Sequence, residues 1–185
     1  GLELPEHIWS AAANLTNPEL VLEIHKEYVD AGVDYITSNT FRTTPRAYSK
    51  EGKRKEKGDG KQVAEKRAKE SMKIAVENAK KAAGNKAQIL GSIAPLEDCY
   101  SPEMFPGKET AITEFRQLGG WLTDAGVDIL LLETMNSIAE TEAGLIALQS
   151  FELPLWVGFI LKDDERLLSG DLLLGALTLL QDCSV

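Results

Sequence analysis

The chain has 185 residues, 43% of them hydrophobic, which is enough for one sizeable core and suits a single domain. It carries 20 basic and 29 acidic side chains, a net charge of −9. This argues against nucleic acid as a partner, because a nucleic-acid binder needs a dominant basic face. No apolar run approaches the roughly 20 residues of a membrane span, so we expect no membrane partner. Two distant cysteines, Cys99 and Cys183, exclude a disulfide framework and favour a reducing, cytoplasmic location.

The first predicted elements are a helix and a strand within residues 17–38. Asn17 is a good N-cap, Pro18 suits the first helical position, and Gly32 ends the helix. Spacings of three and four predict one buried helical face, formed by Val21, Ile24, Tyr28 and Ala31. Residues 33–38 are rich in β-favouring side chains and predict a strand.

A five-residue phrase occurs twice, at residues 30–34 and 124–128, 94 positions apart. Each copy follows a helical pattern and precedes a strand pattern. The second strand, residues 129–132, is an uninterrupted apolar run, which is typical of parallel strands covered on both faces. The repeat predicts an architecture built from similar βα units.

Further elements continue this alternation. The pattern predicts helices at residues 61–83, 137–149 and 171–180, the last of them buried, and strands at 87–93, 155–160 and from 184 onward. Ser137 and Glu140 predict a capping box. Units of about 45 residues predict an α/β fold with a parallel sheet. An open doubly wound sheet and a partial (β/α)8 TIM barrel both stay open, since a whole barrel needs about 250 residues.

The segment of residues 50–86 holds 13 basic and six acidic side chains, a net charge of +7. One interpretation is a patch for an anionic ligand or RNA. We favour the other, a solvated helix face and a mobile loop at residues 52–60, because no aromatic side chains are interleaved for stacking on bases.

Polar side chains occur at the carboxyl ends of the predicted strands, where parallel-sheet proteins bind ligands. The candidate substrate-binding residues are Asn39, Thr40, Ser92, Glu133, Thr134 and Met135. The 94-residue offset carries Asn39 onto Glu133, so these two should occupy equivalent strand ends in one shared cavity. Such groups suit a zwitterionic small molecule better than a nucleotide.

Glu133 follows four apolar residues, where a carboxylate is costly to bury without partners. It either faces a pocket and accepts hydrogen bonds from a substrate ammonium or hydroxyl, or it caps the next helix or pairs with a Lys or Arg. Asn39 either orients a polar ligand or forms an Asx turn that ends its strand. The residues alone leave both questions open.

Other chemistry has little support in the sequence. There is no glycine-rich loop of the dinucleotide-binding or phosphate-binding kind. His25 is predicted to be a surface or satisfied helix residue, and His7 has no nucleophile elbow to serve. Cys99 is predicted to be a plain free thiol, because no obvious cation lies near enough to lower its pKa.

Several longer phrases, in matching order, resemble the homocysteine S-methyltransferase family. They occupy residues 5–11, 17–21, 30–41, 91–100 and 132–136. The likeness covers nearly the whole chain, and several motifs in order are more specific than any one alone. The resemblance implies a (β/α)8 barrel that transfers a methyl group to the thiol of homocysteine and forms methionine.

The resemblance also implies the parts of a site. In this family a zinc ion held by three cysteine thiolates keeps the substrate sulfur as a nucleophilic thiolate. The residue matching Glu133 is expected to hold the amino group of homocysteine, and Asn39 and Thr40 match residues that line the same pocket. The methyl donor varies across the family among betaine, S-methylmethionine, S-adenosylmethionine and methylfolate.

The chain departs from the family pattern at both ends. It lacks the glycine-rich opening of the first barrel strand and both phrases that carry the zinc cysteines. We therefore interpret residues 1–185 as one homocysteine-binding barrel domain, incomplete at both ends, with about four to five βα units. Its zinc ligands are expected in a missing C-terminal part, so the chain alone should be inactive.

Two alternatives remain at this point. One is a non-catalytic half-barrel, which would expose strand edges and apolar helix faces and would pack against itself, as a homo-oligomer, or against a partner. The other is a different α/β enzyme that uses Glu133 in acid–base chemistry.

Overall fold

The computed structural model describes residues 4–51 and 60–183, in which helices and strands alternate. The helices are α1 (Ala11–Thr16), α2 (Pro18–Asp30), α3 (Pro45–Glu51), α4 (Gly60–Ala83), α5 (Lys108–Ala125), α6 (Ile138–Leu148) and α7 (Leu173–Asp182). The strands are β1 (Tyr35–Thr37), β2 (Gln88–Ile93), β3 (Ile129–Met135) and β4 (Leu155–Phe159). Among these described helices, none has the length and apolar character needed to cross a membrane.

The described residues form two compact units. The first unit lies within Gly1–Ser92 and Trp121–Asp128, and the second within Ile93–Gly120 and Ile129–Val185. Each unit contains one pair of parallel strands, β1 with β2 and β3 with β4. The predicted α/β class with parallel strands is therefore confirmed, whereas a single domain over residues 1–185 stays a prediction.

In the first unit, α1, α2 and α3 pack against the long helix α4. The predicted helix at residues 61–83 is confirmed as α4, and it buries a face that carries Ala64, Ala68, Met72, Ala75 and Ala79. Small side chains at spacings of three and four let the neighbouring helices approach closely along this stripe. Lys66, Lys69 and Lys73 are exposed on the other side, as the solvated-face interpretation requires. The predicted mobile loop at residues 52–60 falls almost wholly outside the described residues.

In the second unit, α6 covers one face of the β3–β4 pair. The Oγ of Ser137 accepts a hydrogen bond from the backbone N–H of Glu140, which is one half of the predicted capping box. Gly144 allows the close approach, because a methyl group there would lie 2.8 Å from the side chain of Leu132. Full burial of leucines such as Leu132 stabilises the unit by about 1.5–3 kcal/mol each.

The predicted buried face of α2 is confirmed at Val21 and is wrong at Ile24, Tyr28 and Ala31, which are exposed. The buried side chains are Val21, His25 and Val29. Ile24 and Tyr28 are instead 44% and 59% exposed. Two adjacent stripes of α2 both carry apolar residues, and only the packing of α2 on α4, where Asn78 donates a hydrogen bond to the carbonyl of Pro18, decides which stripe is covered.

The helix predicted at residues 171–180 is present as α7, but the prediction that it is buried is wrong. Leu172, Leu174 and Leu177 are 52%, 74% and 44% exposed, although Ala176 is fully buried. A helix that is apolar all round has no stripe by which its sequence could specify a buried side. The described residues of its unit leave one side of α7 uncovered.

The remaining differences concern boundaries and short elements. β1 is shorter than predicted, and β3 extends through Met135 instead of ending at Leu132. The helices α1 and α3 were not predicted, because six or seven residues are too few to establish a helical period. The fifth strand predicted from residue 184 lies outside the described residues.

Candidate functional site

The carboxyl end of β1 is organised by Asn39. Its Nδ2 donates hydrogen bonds to the carbonyl of Ser10 and to Oδ1 of Asn14, both at 2.9 Å, and its Oδ1 accepts one from Oγ of Ser10 at 2.8 Å. Asn14, which is fully buried, donates in turn to the Asn39 carbonyl and to Oγ of Ser71. Both Nδ2 hydrogens of Asn39 are thus used inside the protein. The side chain fastens α1 to the end of β1.

The hydroxyls next to Asn39 join β1 to β2. Oγ1 of Thr40 donates to the backbone carbonyl of Ser92 at 2.8 Å, and Oγ of Ser38 donates to that of Leu90 at 3.0 Å. Ser38, Thr40 and Ser92 are all buried. The structure therefore brings three predicted site residues, Asn39, Thr40 and Ser92, together at one end of the first unit, in a closed network of internal hydrogen bonds.

An aromatic cluster that the sequence analysis did not single out lies beside this network. The rings of Trp9 and Phe41 are stacked with centroids 6.0 Å apart, and the Arg42 guanidinium lies 4.5 Å and 5.5 Å from the two centroids. Trp9 has a φ of 44°, in the left-handed region that residues other than glycine rarely adopt. A cation–π contact of this kind contributes about 0.5–2 kcal/mol. The cluster ties the segment before α1 to the loop after β1.

The end of β3 carries the other predicted site residues. Glu133 and Thr134 are half-buried, whereas Met135 is fully buried. All three belong to the strand itself, so none of them lies in the turn that follows it. The structure thus brings Glu133 and Thr134 together, and it places Met135 in the core behind them.

The pairing of β3 with β4 is interrupted at Glu133 and Thr134. The register runs regularly to the pair Leu132–Val157, and the next pair is Met135–Phe159. One extra residue of β3 is therefore accommodated, which makes a β-bulge opposite Gly158. Thr134 has a φ of 61°, and a positive φ in a β-branched residue is a genuine outlier. Sequence patterns predict the strand, but nothing in them predicts this irregularity.

Hydrogen bonds from two loops, the one after β2 and the one after β4, hold the end of β3 in place. Asn136, which is buried, donates from Nδ2 to the carbonyl of Cys99 at 3.0 Å, and its own carbonyl accepts from the N–H of Ser169 at 3.0 Å. At the N-terminus of α6, the backbone N–H of Ile138 donates a hydrogen bond to Oδ2 of Asp171 at 2.8 Å. Such bonds satisfy helix donors that would otherwise lack partners. Glu133 thus belongs to a strand whose carboxyl end is held by several hydrogen bonds.

Burial shifts the pKa values of two titratable side chains in the first unit. Burial lowers the pKa of His25 below its ordinary value of 6.5, and Nε2 has no hydrogen-bond partner among the described residues. The prediction of a surface or satisfied histidine is therefore wrong. Burial also raises the pKa of Tyr48, whose hydroxyl donates to the carbonyl of Ala11. Both residues lie in the packed helical layer and are not part of either strand end.

Metal ligands are not assembled in the described part of the chain. No group of three or more His, Cys, Asp or Glu side chains there is arranged to hold a metal ion. Cys99 is buried and Cys183 is exposed, and the two cysteines form no disulfide bond. The described residues do not fit a tri-thiolate zinc site, which needs three cysteines.

Taken separately, the two strand ends offer different chemistry. The end of β1 holds amides and hydroxyls that bond mainly to one another and to backbone carbonyls, and the end of β3 holds a half-buried carboxylate in a bulge opposite Gly158 of β4. A carboxylate in such a position can accept strong hydrogen bonds from an ammonium group.

Comparison with known proteins identifies the family. The family model described as "Homocysteine S-methyltransferase" matches residues 2–184. The chain is 25% identical over 206 residues to Homocysteine S-methyltransferase 2 of Zea mays, covering 100% of this chain and 58% of that protein. It is 29% identical over 191 residues to Homocysteine S-methyltransferase of Escherichia coli K12, covering 92% and 57%.

A solved structure agrees with these relatives. The metallated form of the homocysteine methyltransferase MmuM from Escherichia coli matches with a TM-score of 0.85 and 28% identity, over 98% of this chain and 65% of that one. The fold is therefore that of part of a methyltransferase barrel, as predicted. The chain spans less than two thirds of the length of these relatives. It belongs to the homocysteine S-methyltransferase family.

Proposed function

We propose that the protein transfers a methyl group to the thiol of homocysteine, forming methionine, and that this chain supplies the part that holds the amino acid. The observation that carries the proposal is Glu133, a half-buried carboxylate at the carboxyl end of β3 in a chain whose family match runs from residue 2 to 184. We assign Glu133 to the substrate ammonium, because a charge-assisted hydrogen bond is about twice as strong as a neutral one.

The other predicted residues have supporting roles in this proposal. Thr134 lines the same strand end as Glu133, and Met135 packs behind it. Thr40 and Ser92 hold the ends of β1 and β2 together. Asn39 keeps one acceptor site on Oδ1, since that oxygen has two lone pairs and accepts one hydrogen bond within the protein.

The proposal includes a metal ion but assigns it no ligands in this chain. A relative of known structure is described as metallated, and the resemblance implies zinc, which lowers the pKa of a bound thiol. Because the described residues do not fit a tri-thiolate site, we derive no step through the metal, and its ligands would have to come from elsewhere. The methyl donor is likewise unassigned, and we propose a cytoplasmic location.

Calorimetric titration of the chain with L-homocysteine tests the assignment of Glu133. Glu133→Gln keeps the size of the side chain and removes its charge, so we expect affinity to fall about 30-fold, equivalent to roughly 2 kcal/mol. Glu152→Gln is the matched control, because Glu152 is exposed in the turn before β4, at the opposite end of the strand pair. Equal affinities of Glu133→Gln and the wild type would remove Glu133 from the site.

One observation favours a second candidate function, a non-catalytic interaction module. Leu174 and Leu177 are exposed on α7, and Leu172, just before the helix, is exposed as well; exposed apolar patches commonly mark interaction surfaces. A chain that binds no homocysteine and sediments as a dimer or larger assembly would support this candidate. Homocysteine binding by the wild-type chain would support the methyltransferase instead.

A further inference from the structure

The bulge in β3 coincides with the proposed ligand-binding residues. Two-against-one pairing places Glu133 and Thr134 opposite the single residue Gly158. Bulges are uncommon between parallel strands, and where they occur beside functional sites they re-aim side chains. The interruption begins at Glu133 and ends before Met135, so it affects the two half-buried polar residues and nothing else in the strand.

The register shows what the bulge does to the two faces of β3. Val157 and Phe159 are two residues apart in β4 and therefore point to the same face. Their partners Leu132 and Met135 must share that face, although they are three residues apart. Both are fully buried on the side covered by α6. The extra residue thus leaves both Glu133 and Thr134 out of the core-facing set.

The opposite face of the strand pair carries Gly158, which has no side chain of its own. A Cβ at Gly158 would come no closer than 3.9 Å to the N of Thr134 and 4.0 Å to the O of Leu132, which is ordinary contact. A small side chain would thus fit at Gly158, but the glycine contributes none beside the bulge. Trp156, two residues earlier on the same face of β4, is 41% exposed. Trp156 of β4 and the bulge of β3 thus lie next to this glycine.

The backbone of Thr134 is held in an unfavourable conformation. Its φ of 61° is costly for a β-branched side chain, and glycine would adopt this angle without penalty. Backbone strain persists only where the surrounding structure imposes it, and it clusters at functional sites. Here the strain lies on the residue that carries the extra position of the bulge.

We propose that Thr134 is a positioning residue whose left-handed backbone creates the bulge and thereby turns the Glu133 carboxylate towards the face of the strand pair that carries Gly158, where it receives the ammonium of a small amino acid. This inference rests on the proposed function and deepens it, because it assigns the geometry of the same site to the backbone of Thr134 rather than to its hydroxyl.

Two variants separate the backbone of Thr134 from its side chain. Thr134→Gly removes the hydroxyl but favours the same backbone conformation, so we expect a higher melting temperature and an affinity for L-homocysteine reduced by only about three- to tenfold. Deletion of Thr134 removes the extra residue and leaves Leu132 and Met135 on one face, so we expect a folded chain with an affinity reduced by about 100-fold or more.

Calorimetry with L-homocysteine and circular dichroism on the full chain give the readouts. Loss of binding in Thr134→Gly as large as in Glu133→Gln would overturn the proposal, and it would do so even if the deletion variant failed to fold. Wild-type affinity in a folded deletion variant would also overturn it. With either result, a Glu133→Gln variant that binds homocysteine more weakly than the wild type would leave the proposed function intact. A wild-type chain that binds no homocysteine would refute that function itself.

Discussion

The ends of β1 and β3 descend from the same sequence pattern but are built differently. The 94-residue repeat places Asn39 and Glu133 at equivalent positions. At the end of β1, both Nδ2 hydrogens of Asn39 are used by Ser10 and Asn14. At the end of β3, Glu133 lies in a bulge next to a strained Thr134.

The difference indicates a division of labour between the two strand ends. A network of internal hydrogen bonds that uses most of its polar groups stabilises and rigidifies a structure but offers few groups to a ligand. A strained, irregular strand end costs stability and is typical of sites that bind or react. In our account the end of β1 therefore contributes mainly to stability, and the end of β3 contributes mainly to binding.

The largest expected effect on stability comes from Asn14→Ala. The change removes the partners of Asn39 and Ser71 in a buried network, so we expect the free energy of unfolding to fall by about 3 kcal/mol. Urea unfolding followed by circular dichroism measures it. The matched control is Asn85→Ala, because Asn85 is exposed in the turn after α4. Equal stability of the two variants would contradict the structural role of the β1 end.

A smaller loss is expected for Gly144→Val. The new side chain would overlap Leu132 behind β3, so overpacking should lower the free energy of unfolding by about 2 kcal/mol. Ala139→Val adds methyl groups to an exposed position of the same helix and serves as the control. Thermal unfolding of both variants makes the comparison. A Gly144→Val chain as stable as the control would show that β3 and α6 are not tightly packed.

The smallest effect concerns His25 and the pH dependence of stability. Because burial lowers the pKa of His25 in the folded state, the unfolded chain binds the proton more readily. The stability that the folded state gains by keeping His25 neutral is fully present above pH 6.5, the ordinary pKa of histidine. It is lost as the pH falls from there through the lower pKa of the folded state. Urea unfolding between pH 7.5 and 5 should show a shallower decline in His25→Gln than in the wild type. Identical profiles would place His25 in contact with solvent.

Much of the fold could be predicted because its signals are local. The apolar run at residues 129–132 specifies a buried parallel strand, and the stripe from Ala64 to Ala79 specifies the buried face of α4. The choice of face on α2 could not be predicted in this way. Two adjacent stripes are similarly apolar, and a polar residue, His25, lies on the one that is covered.

The candidate site could be predicted in composition but not in geometry. Strand-end position identifies Asn39, Thr40, Ser92, Glu133 and Thr134 as a set. Whether a polar group is saturated depends on distant residues such as Asn14, which no strand pattern connects to Asn39. The bulge at Thr134 contradicts the local preference of a β-branched residue, so propensity alone argues against it.

The most direct test of the division of labour is an NMR titration of the 15N-labelled chain with L-homocysteine. Our account predicts that the largest amide shifts occur in residues 133–137, around the bulge, with smaller shifts in residues 38–40. The largest shifts at residues 38–40, with residues 133–137 unmoved, would contradict it.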